Sequence, residues 1–346
     1  MFELAHRLPE ADVTVMTTVA PSANDAGLRV IRLASSRAGR LAWLAHLTWR
    51  TFITCIVHRP DVIVCGHVIT APAAILPTWV LRVPFVTFAY AWEVRLTRAR
   101  RLTRFLLRQS AMVLAISRFT EMAVQACGVP AERIRILHPG VSHERFAAAR
   151  KPQRSPGRMI LTVSRLNERY KGHDMVIRAL PLVRAKCPDI RYVVAGEGQL
   201  RPYLTQLAAS IGVDDIVQFA GEVSDEVVIE LMQACDLVVQ ISRESADGGA
   251  EGFGIVCLEA AAASKPVVAG RSGGLTDAVI DGVTGLLVDP NDLEAIADAI
   301  LTILLNPDLG SRLGRAGQAR VANEFTWDHM AQRARSIFRE VLAQRT

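Results

Sequence analysis

Short apolar runs rich in Val, Ile and Leu recur along this chain, at 13–17, 28–33, 62–65, 85–88, 112–116 and 134–137, then at 159–163, 191–195, 216–219, 236–241, 266–269 and 285–288. Stretches of helical period separate most of them, at 41–58, 71–81, 117–127, from 173 past Pro181, and at 200–211, 225–234 and 255–263, and three more helices are expected at 292–304, 308–322 and 327–344. A strand buried on both faces reads as a continuous apolar run, and a parallel strand returns only through a long crossover. The alternation therefore specifies an α/β chain of doubly wound parallel sheets. Pro77 and Pro181 are expected to kink the helices that hold them.

At 346 residues the chain has room for two such domains. The composition breaks at AAARKPQRSPG, 147–157, which is polar with two prolines. The expected division is thus a Rossmann-like domain over 1–147, a linker over 148–157, a second such domain over 158–326, and a C-terminal helix, 327–346, that packs back on the first domain.

Charge follows the same division. Residues 1–150 hold 19 Arg, no Lys and 9 acids, a balance of +10, and the remainder holds 21 basic and 25 acidic residues, a balance of −4. A basic half suits an anionic membrane surface or nucleic acid, and no nucleic-acid motif accompanies it. Within that half, RLTRARRLTRFLLR at 95–108 carries Arg95, Arg98, Arg100, Arg101, Arg104 and Arg108 with no acid, and its apolar residues recur at helical spacing. It reads either as a solvated helix packed by its apolar stripe or as a docking element for an anionic bilayer. The six cysteines have no paired or metal-ligand spacing and read as reduced core residues of a cytosolic protein. The opening MFELAHRLPEADVTV lacks the pattern of a secretory signal, and the apolar segments 41–58 and 62–90 are interrupted by charge and proline, so they read as buried elements.

The chemistry concentrates in EGFGIVCLEAAAASKPVVAGRSGG, 251–274. Glu251 and Glu259 stand eight residues apart, Gly252 and Gly254 permit tight turns between them, and the helix beginning at Ile255 would aim its first amides into that loop. Gly270 to Gly274 supply a second nest of amides. Arg165 and Lys171 follow one strand, Glu197 sits between glycines after the next, and Arg243 follows a third. Ligands of open α/β sheets bind beyond such strand ends. Cations facing amide nests suit a diphosphate and carboxylates suit sugar hydroxyls, so a sugar nucleotide is the ligand that asks for both.

Several separated motifs then carry a family resemblance: VSRLNERYKGHD at 163–174, VVAGEG at 193–198, ADGGAEGFGIVCLEAAAASKPVVAGRSGG at 246–274 and DGVTGLLVDP at 281–290. The second half resembles the donor domain of glycosyltransferase family 4, retaining enzymes of two-domain GT-B architecture, in which two Rossmann-like domains face across a cleft. The motifs are most similar to those of bacterial enzymes that transfer mannose from GDP-mannose to phosphatidylinositol mannosides. The resemblance implies that Arg165 and Lys171 hold the donor diphosphate, Glu259 binds the ribose hydroxyls, and Glu251 lies beside the transferred sugar. The amides of Phe253, Gly254 and Ile255 would hold sugar or phosphate; Glu197 and Arg243 join the donor-binding candidates by their place at the neighbouring strand ends. It also implies no metal or other cofactor, a lipid-linked or glycan acceptor, and a place on the cytoplasmic face of the plasma membrane.

The first half departs from that family in two places. The family domain opens with a strand and a glycine-rich loop ahead of a helix like MFELAHRLPEADVTVMTT, and the sequence lacks both, so its N-terminal domain is expected without its first strand and loop. In TFAYAWEV, 87–94, Tyr90 and Trp92 stand where related enzymes carry histidines in a motif like HGHE, while Glu93 matches. These three are the acceptor-side candidates, with packing aromatics as the alternative for the first two. Two functions of different class stay open: a retaining hexosyltransferase, favoured by Arg165, Lys171, Glu251 and Glu259, and a noncatalytic or truncated nucleotide-binding subunit, favoured by the two departures.

Overall fold

A computed structural model of the chain describes residues 2–18, 25–33, 39–95, 100–148 and 157–344. The chain divides into two compact units, Met1–Gly140 with Trp327–Thr346, and Val141–Thr326.

In the first unit, β1 (Thr14–Thr17) and β2 (Arg29–Arg32) form a parallel pair, and β3 (Ile63–Cys65), β4 (Phe85–Ala89), β5 (Met112–Ala115) and β6 (Ile134–Ile136) form a parallel sheet in that order. Among the described residues no strand joins the pair to the four-stranded sheet. Alternation along β4 sends Val86 and Phe88 to one face, where they pack with Leu4, Met330, Ala334 and Ile337. The helices Phe2–His6 and Trp327–Ala343 supply those partners, and Arg7 Nε donates to Asp328 Oδ1 at 3.0 Å between them. Phe85 and Ala89 face the other way, toward Ala71, Ala74, Leu106, Leu107 and Val124 on the crossover helices.

The second unit holds one six-stranded parallel sheet made of β7 (Arg158–Val163), β8 (Ile190–Ala195), β9 (Val217–Gly221), β10 (Leu237–Gln240), β11 (Val267–Gly270) and β12 (Leu286–Val288), in the spatial order β12-β11-β10-β7-β8-β9. Ile160, Tyr192, Val194, Leu237, Val239 and Val268 pack under the helices His173–Lys186, Arg201–Ser210 and Leu293–Leu305, while the alternate residues Leu161, Val193, Val238 and Val267 are buried on the opposite face. Both faces are covered, which explains why these strands read as unbroken apolar runs. The buried hydroxyls stay satisfied: Tyr192 donates to Thr162 Oγ1 at 2.9 Å, and Thr162 donates to the Val239 carbonyl at 2.7 Å. The strand order reverses between β7 and β10, so their carboxyl ends diverge into separate loops and leave a crevice.

One expectation needs correction. The division falls at Gly140–Val141 rather than in 148–157, because the helix His143–Ala148 packs on the helices Asp225–Ala234 and Ile255–Ala262, with Gln233 Nε2 donating to the Phe146 carbonyl at 2.8 Å. Most of the expected linker, 149–156, lies outside the described residues. Of the basic stretch 95–108, Arg95 ends the helix Ala91–Arg95 and 100–108 lie in the helix Arg100–Gln109, with 96–99 outside the described residues. Leu106 and Leu107 are buried, Arg95 lies over the Phe119 ring, and Arg108 Nε donates to the Cys127 carbonyl. Pro77 and Pro181 lie inside the helices Pro72–Leu81 and His173–Lys186.

Candidate functional site

The loops that leave β7 and β10 meet over the crevice. Gly172 turns the first of them with φ 76°, so close to β10 that a Cβ there would lie 1.8 Å from the Ile241 carbonyl oxygen. Lys171, just before it, is thereby held against the second loop, and its Nζ donates to Glu251 Oε2 at 2.6 Å. The Ser242 hydroxyl donates to the same oxygen at 3.4 Å, and Gln240 Nε2 donates to Ser242 at 3.1 Å. Lys171 and Glu251 are 14% and 16% exposed, so this pair is largely withdrawn from water.

Gly254 then caps the helix Ile255–Ala262 with φ 96°, in contact distance of Leu275, where a Cβ would lie 2.5 Å from Leu275 Cδ2. The first turn of that helix is the positive end of its dipole, and of its amides Cys257 N–H donates to the Gly254 carbonyl at 2.9 Å. Phe253 is buried against the Phe325 ring at 5.9 Å, while Ile255 is exposed. Glu259 rides on the second turn, half buried, and its carboxylate makes no hydrogen bond or ion pair with another described residue, while its carbonyl accepts from Ala263 N–H at 3.0 Å. Burial raises its carboxyl above the usual range, Asp225 adds to that, and Arg145 opposes it. The two acids of the motif therefore have different electrostatic neighbours: Glu251 is paired with Lys171, and Glu259 feels Asp225 and Arg145.

The remaining second-unit candidates differ in availability. Arg165 is exposed, 3.5 Å from Glu168. Arg243 is committed: its guanidinium grips Asp174 at 2.9 and 3.1 Å, and its amide donates to the Tyr170 carbonyl at 2.8 Å, which clamps the two loops together. Glu197 accepts from its neighbour Gly198 N–H at 3.2 Å and pairs with Arg201, and those partners hold its exposed carboxyl below the usual range. An open polar cavity of about 380 Å³ lies at the ends of β10, β11 and β12, with Arg243 and Arg271 on its wall. Arg271 is itself paired with Asp281 at 2.6 Å, so neither arginine there is a spare cation.

His173, quoted only as part of a motif in the sequence, is a support of this site. It is buried at the start of its helix, and its Nε2 reaches the Arg165 carbonyl at 3.4 Å. Burial pushes its pKa down to about 4, Lys171 adds to that, and the Arg165 carbonyl and Asp174 oppose it, so the ring is neutral and Nε2–H donates. Ser242, Asp174 and Arg145 were likewise not singled out from the sequence, where each is an ordinary polar residue on a loop or helix.

In the first unit, the carboxyl ends of β3 and β4 bring three residues together. Tyr90 N–H donates to Glu93 Oε1 at 2.6 Å, and the Tyr90 ring stacks on His67 at 5.7 Å. Glu93 is buried, with Oε2 3.9 Å from His67 Nε2, and His67 Nδ1 accepts from Ile69 N–H at 3.1 Å. Burial and Glu93 raise the Tyr90 pKa. His67 was missed by sequence reasoning because it precedes the aromatic motif by more than twenty residues. The side chain of Trp92 lies outside the described residues.

Both halves of the chain match known families. Residues 144–320 match the family Glycosyl transferases group 1, and residues 1–145 match Glycosyltransferase Family 4. The chain is 34% identical, over 66% of its own length and 62% of the relative's, to the GDP-mannose-dependent alpha-(1-6)-phosphatidylinositol monomannoside mannosyltransferase of Mycolicibacterium smegmatis. It is 36% identical to the D-inositol 3-phosphate glycosyltransferase of Acidothermus cellulolyticus, over 64% of this chain and 51% of that one. The chain thus spans less than two thirds of these curated relatives. Among solved structures, Anabaena Alr3699/HepE in complex with UDP superposes with a TM-score of 0.80 at 22% identity, covering 98% of this chain and 94% of that one. Two Rossmann-like units, a reversal of strand order under the candidate site, and family matches to both halves lead to one assignment: this chain belongs to glycosyltransferase family 4, of GT-B architecture, and its second unit is a group 1 glycosyl transferase domain.

Proposed function

We propose that the chain is a retaining glycosyltransferase that takes a hexose, mannose in preference, from a nucleotide sugar to a lipid-linked or polysaccharide acceptor at a membrane. The observation that carries the reading is the Lys171–Glu251 pair, set at the strand-order reversal and beside the glycine-capped start of the helix Ile255–Ala262. A diphosphate seated on those amides meets the cation of Lys171, with Arg165 exposed and able to swing to it. Glu251 then stands at the phosphate end beside the sugar, Glu259 accepts from the ribose hydroxyls, and the amides of Phe253, Gly254 and Ile255 take the remaining oxygens. In the reaction the acceptor hydroxyl forms the new bond at the anomeric carbon and the bond to the diphosphate breaks. The hydroxyl proton passes to a leaving phosphate oxygen on the same face, which preserves the anomeric configuration. Charge develops on the diphosphate, and Lys171 and Arg165 are the groups that stabilise it there, so the route calls on no metal.

Mannose and the lipid acceptor rest on the mycobacterial relative named above, and a nucleotide-sugar donor is supported by the UDP complex of the Anabaena protein. In the first unit the reading assigns Tyr90, Trp92 and Glu93 to the acceptor side. Among the described residues no helix is long and apolar enough to cross a membrane, and the reading takes contact with a lipid acceptor to be peripheral. A second reading, a nucleotide-binding subunit without transfer, is favoured by Tyr90 standing where the related motif carries histidine. Thermal unfolding with GDP-mannose, against UDP-glucose and no ligand, tests donor binding, and transfer of labelled mannose into a membrane extract separates the two readings. Protection with transfer is expected. Protection without transfer or donor hydrolysis leaves the binding subunit, and no protection by any nucleotide sugar removes both.

A further inference from the structure

We propose that the first unit docks on an anionic bilayer through one apolar face, built from the outward sides of the helices Arg40–His58, Pro72–Leu81 and Arg100–Gln109 and the turn Val68–Thr70. The proposal deepens the membrane-side reading above, for its purpose rests on it, and locates a surface which that reading does not name. Of 17 large hydrophobic side chains exposed among the described residues, ten lie between Trp49 and Phe105. They belong to adjoining elements. The first two helices pack on each other, the third packs on the turn, and Leu106 of the third shares a buried cluster with Ala71 and Ala74 at the start of the second.

The inward faces of these elements are already occupied, by Leu47, Ala73, Ala74 and Leu106 among others, so the outward residues are not spare core. On Arg40–His58 the exposed Trp49, Ile53, Ile56 and Val57 fall at i, i+4, i+7 and i+8, a single stripe, where a helix facing water carries charge. On Pro72–Leu81 the outward positions are Leu76, Trp79 and Val80. Trp49 and Trp79 are 60% and 64% exposed. Indole combines an apolar body with one N–H donor and partitions to the headgroup boundary, where both ends are satisfied.

Charge selects the partner. Between residues 49 and 105 the sequence has eight Arg and two acids, Asp61 and Glu93, and Glu93 is buried. Arg50, Arg59, Arg82 and Arg101 are exposed, and none forms an ion pair with another described residue. An apolar centre with a cationic rim matches an interface whose acyl region accepts tryptophan and isoleucine and whose headgroups carry phosphate. A second copy of the chain fits less well, since a two-fold contact would set this patch against itself and bring arginines together with no acids to pair them. The basic stretch near residue 100 thus contributes one edge of a broader face rather than acting alone.

Sedimentation of the full chain with phosphatidylcholine vesicles, with and without phosphatidylglycerol, tests the surface. The expected result is binding that requires phosphatidylglycerol and weakens with salt. The double variant Trp49→Ser/Trp79→Ser should lose about tenfold or more in vesicle partition, and Arg50→Glu/Arg82→Glu should lose the phosphatidylglycerol dependence. All four sites are exposed, so unfolding midpoints and GDP-mannose protection should match the parent, and a variant that fails that control is replaced by Trp79→Ser alone. Equal vesicle binding by the tryptophan variant, or no binding by the parent, overturns the proposal. So does a concentration-dependent dimer that the tryptophan variant dissolves, for the face is then a self-contact. Vesicle binding without nucleotide protection would leave this surface standing and remove the donor reading; protection without vesicle binding does the reverse.

Discussion

Lys171 and Glu251, 80 residues apart in sequence, meet at 2.6 Å where the loops after β7 and β10 converge. The pair is mostly withdrawn from water, so its partners are not interchangeable with solvent. Removing one charge leaves the other buried without its counter-ion, which costs more than the pair itself contributes. Lys171→Ala is expected to destabilise the protein by about 2 kcal/mol, and Lys171→Ala/Glu251→Ala by less than the sum of the two single variants. Urea unfolding of the four proteins in a double-mutant cycle measures the coupling; additivity would mean that the contact carries no energy. Both single variants are also expected to lose nucleotide-sugar protection, since the proposed reading sets Lys171 on the diphosphate and Glu251 beside the sugar.

His173 makes a pH prediction with a definite sign. Its folded pKa is lowered to about 4 from an ordinary value of 6.5, chiefly by burial. The unfolded chain therefore binds the proton more readily, and the neutral ring contributes stability that is fully present above pH 6.5 and is lost as the pH falls toward 4. The full loss is about 3 kcal/mol. Acidic groups also change in this range, so the informative quantity is the difference between the parent and His173→Gln, followed by chemical unfolding at several pH values. The parent should lose stability faster than the variant between pH 6.5 and 4; parallel curves would show that the imidazole is charged in the folded protein.

The second unit was more legible in the sequence than the first for a physical reason. Its strands are buried on both faces and flanked by helices of clear period, so apolar runs such as 159–163 and 191–195 mark the sheet directly, and polar residues at their carboxyl ends mark the crevice. Pairing was not legible. Glu251 and Glu259 look like partners because they are near in sequence, yet Arg145 and Asp225 are the charges that act on Glu259 while chain reversal delivers Lys171 to Glu251. Arg243 looks like a free cation until Asp174, on another element, takes it. In the first unit the helix Arg40–His58 is apolar on several sides, so periodicity alone could not tell its buried Leu47 from its exposed Trp49.

Two glycines of the site predict a rank order. Both have left-handed φ, 76° at Gly172 and 96° at Gly254, which costs an alanine about 1 kcal/mol. At Gly254 the added methyl group meets the flexible end of Leu275, and at Gly172 it meets the Ile241 carbonyl on the backbone of the neighbouring loop. Gly172→Ala is therefore expected to be the more damaging, by about 2 kcal/mol or more over Gly254→Ala, because a side chain can rotate away and a strand end cannot. Adding Leu275→Ala would relieve the clash at Gly254 but would leave the dihedral strain. Calorimetric midpoints of the three variants decide this; equal losses would mean that dihedral strain alone governs both sites.

Glu259 separates binding from folding. Its carboxylate is half buried and unsupported, and burial with Asp225 raises its pKa, so the fold disfavours its charged form. A raised carboxyl pKa contributes stability below the ordinary value that is lost as the pH rises through the folded one. Glu259→Gln is then expected to leave the unliganded protein as stable as the parent, or more stable, at pH 7, and to lose any such gain in acid, where both side chains are neutral. The donor reading demands the opposite for ligand binding: losing charge-assisted hydrogen bonds to ribose hydroxyls should weaken nucleotide-sugar affinity about tenfold or more. Thermal unfolding with and without GDP-mannose at two pH values measures both effects on one variant. A destabilised unliganded protein would mark Glu259 as a structural residue, and unchanged affinity would remove it from the donor site.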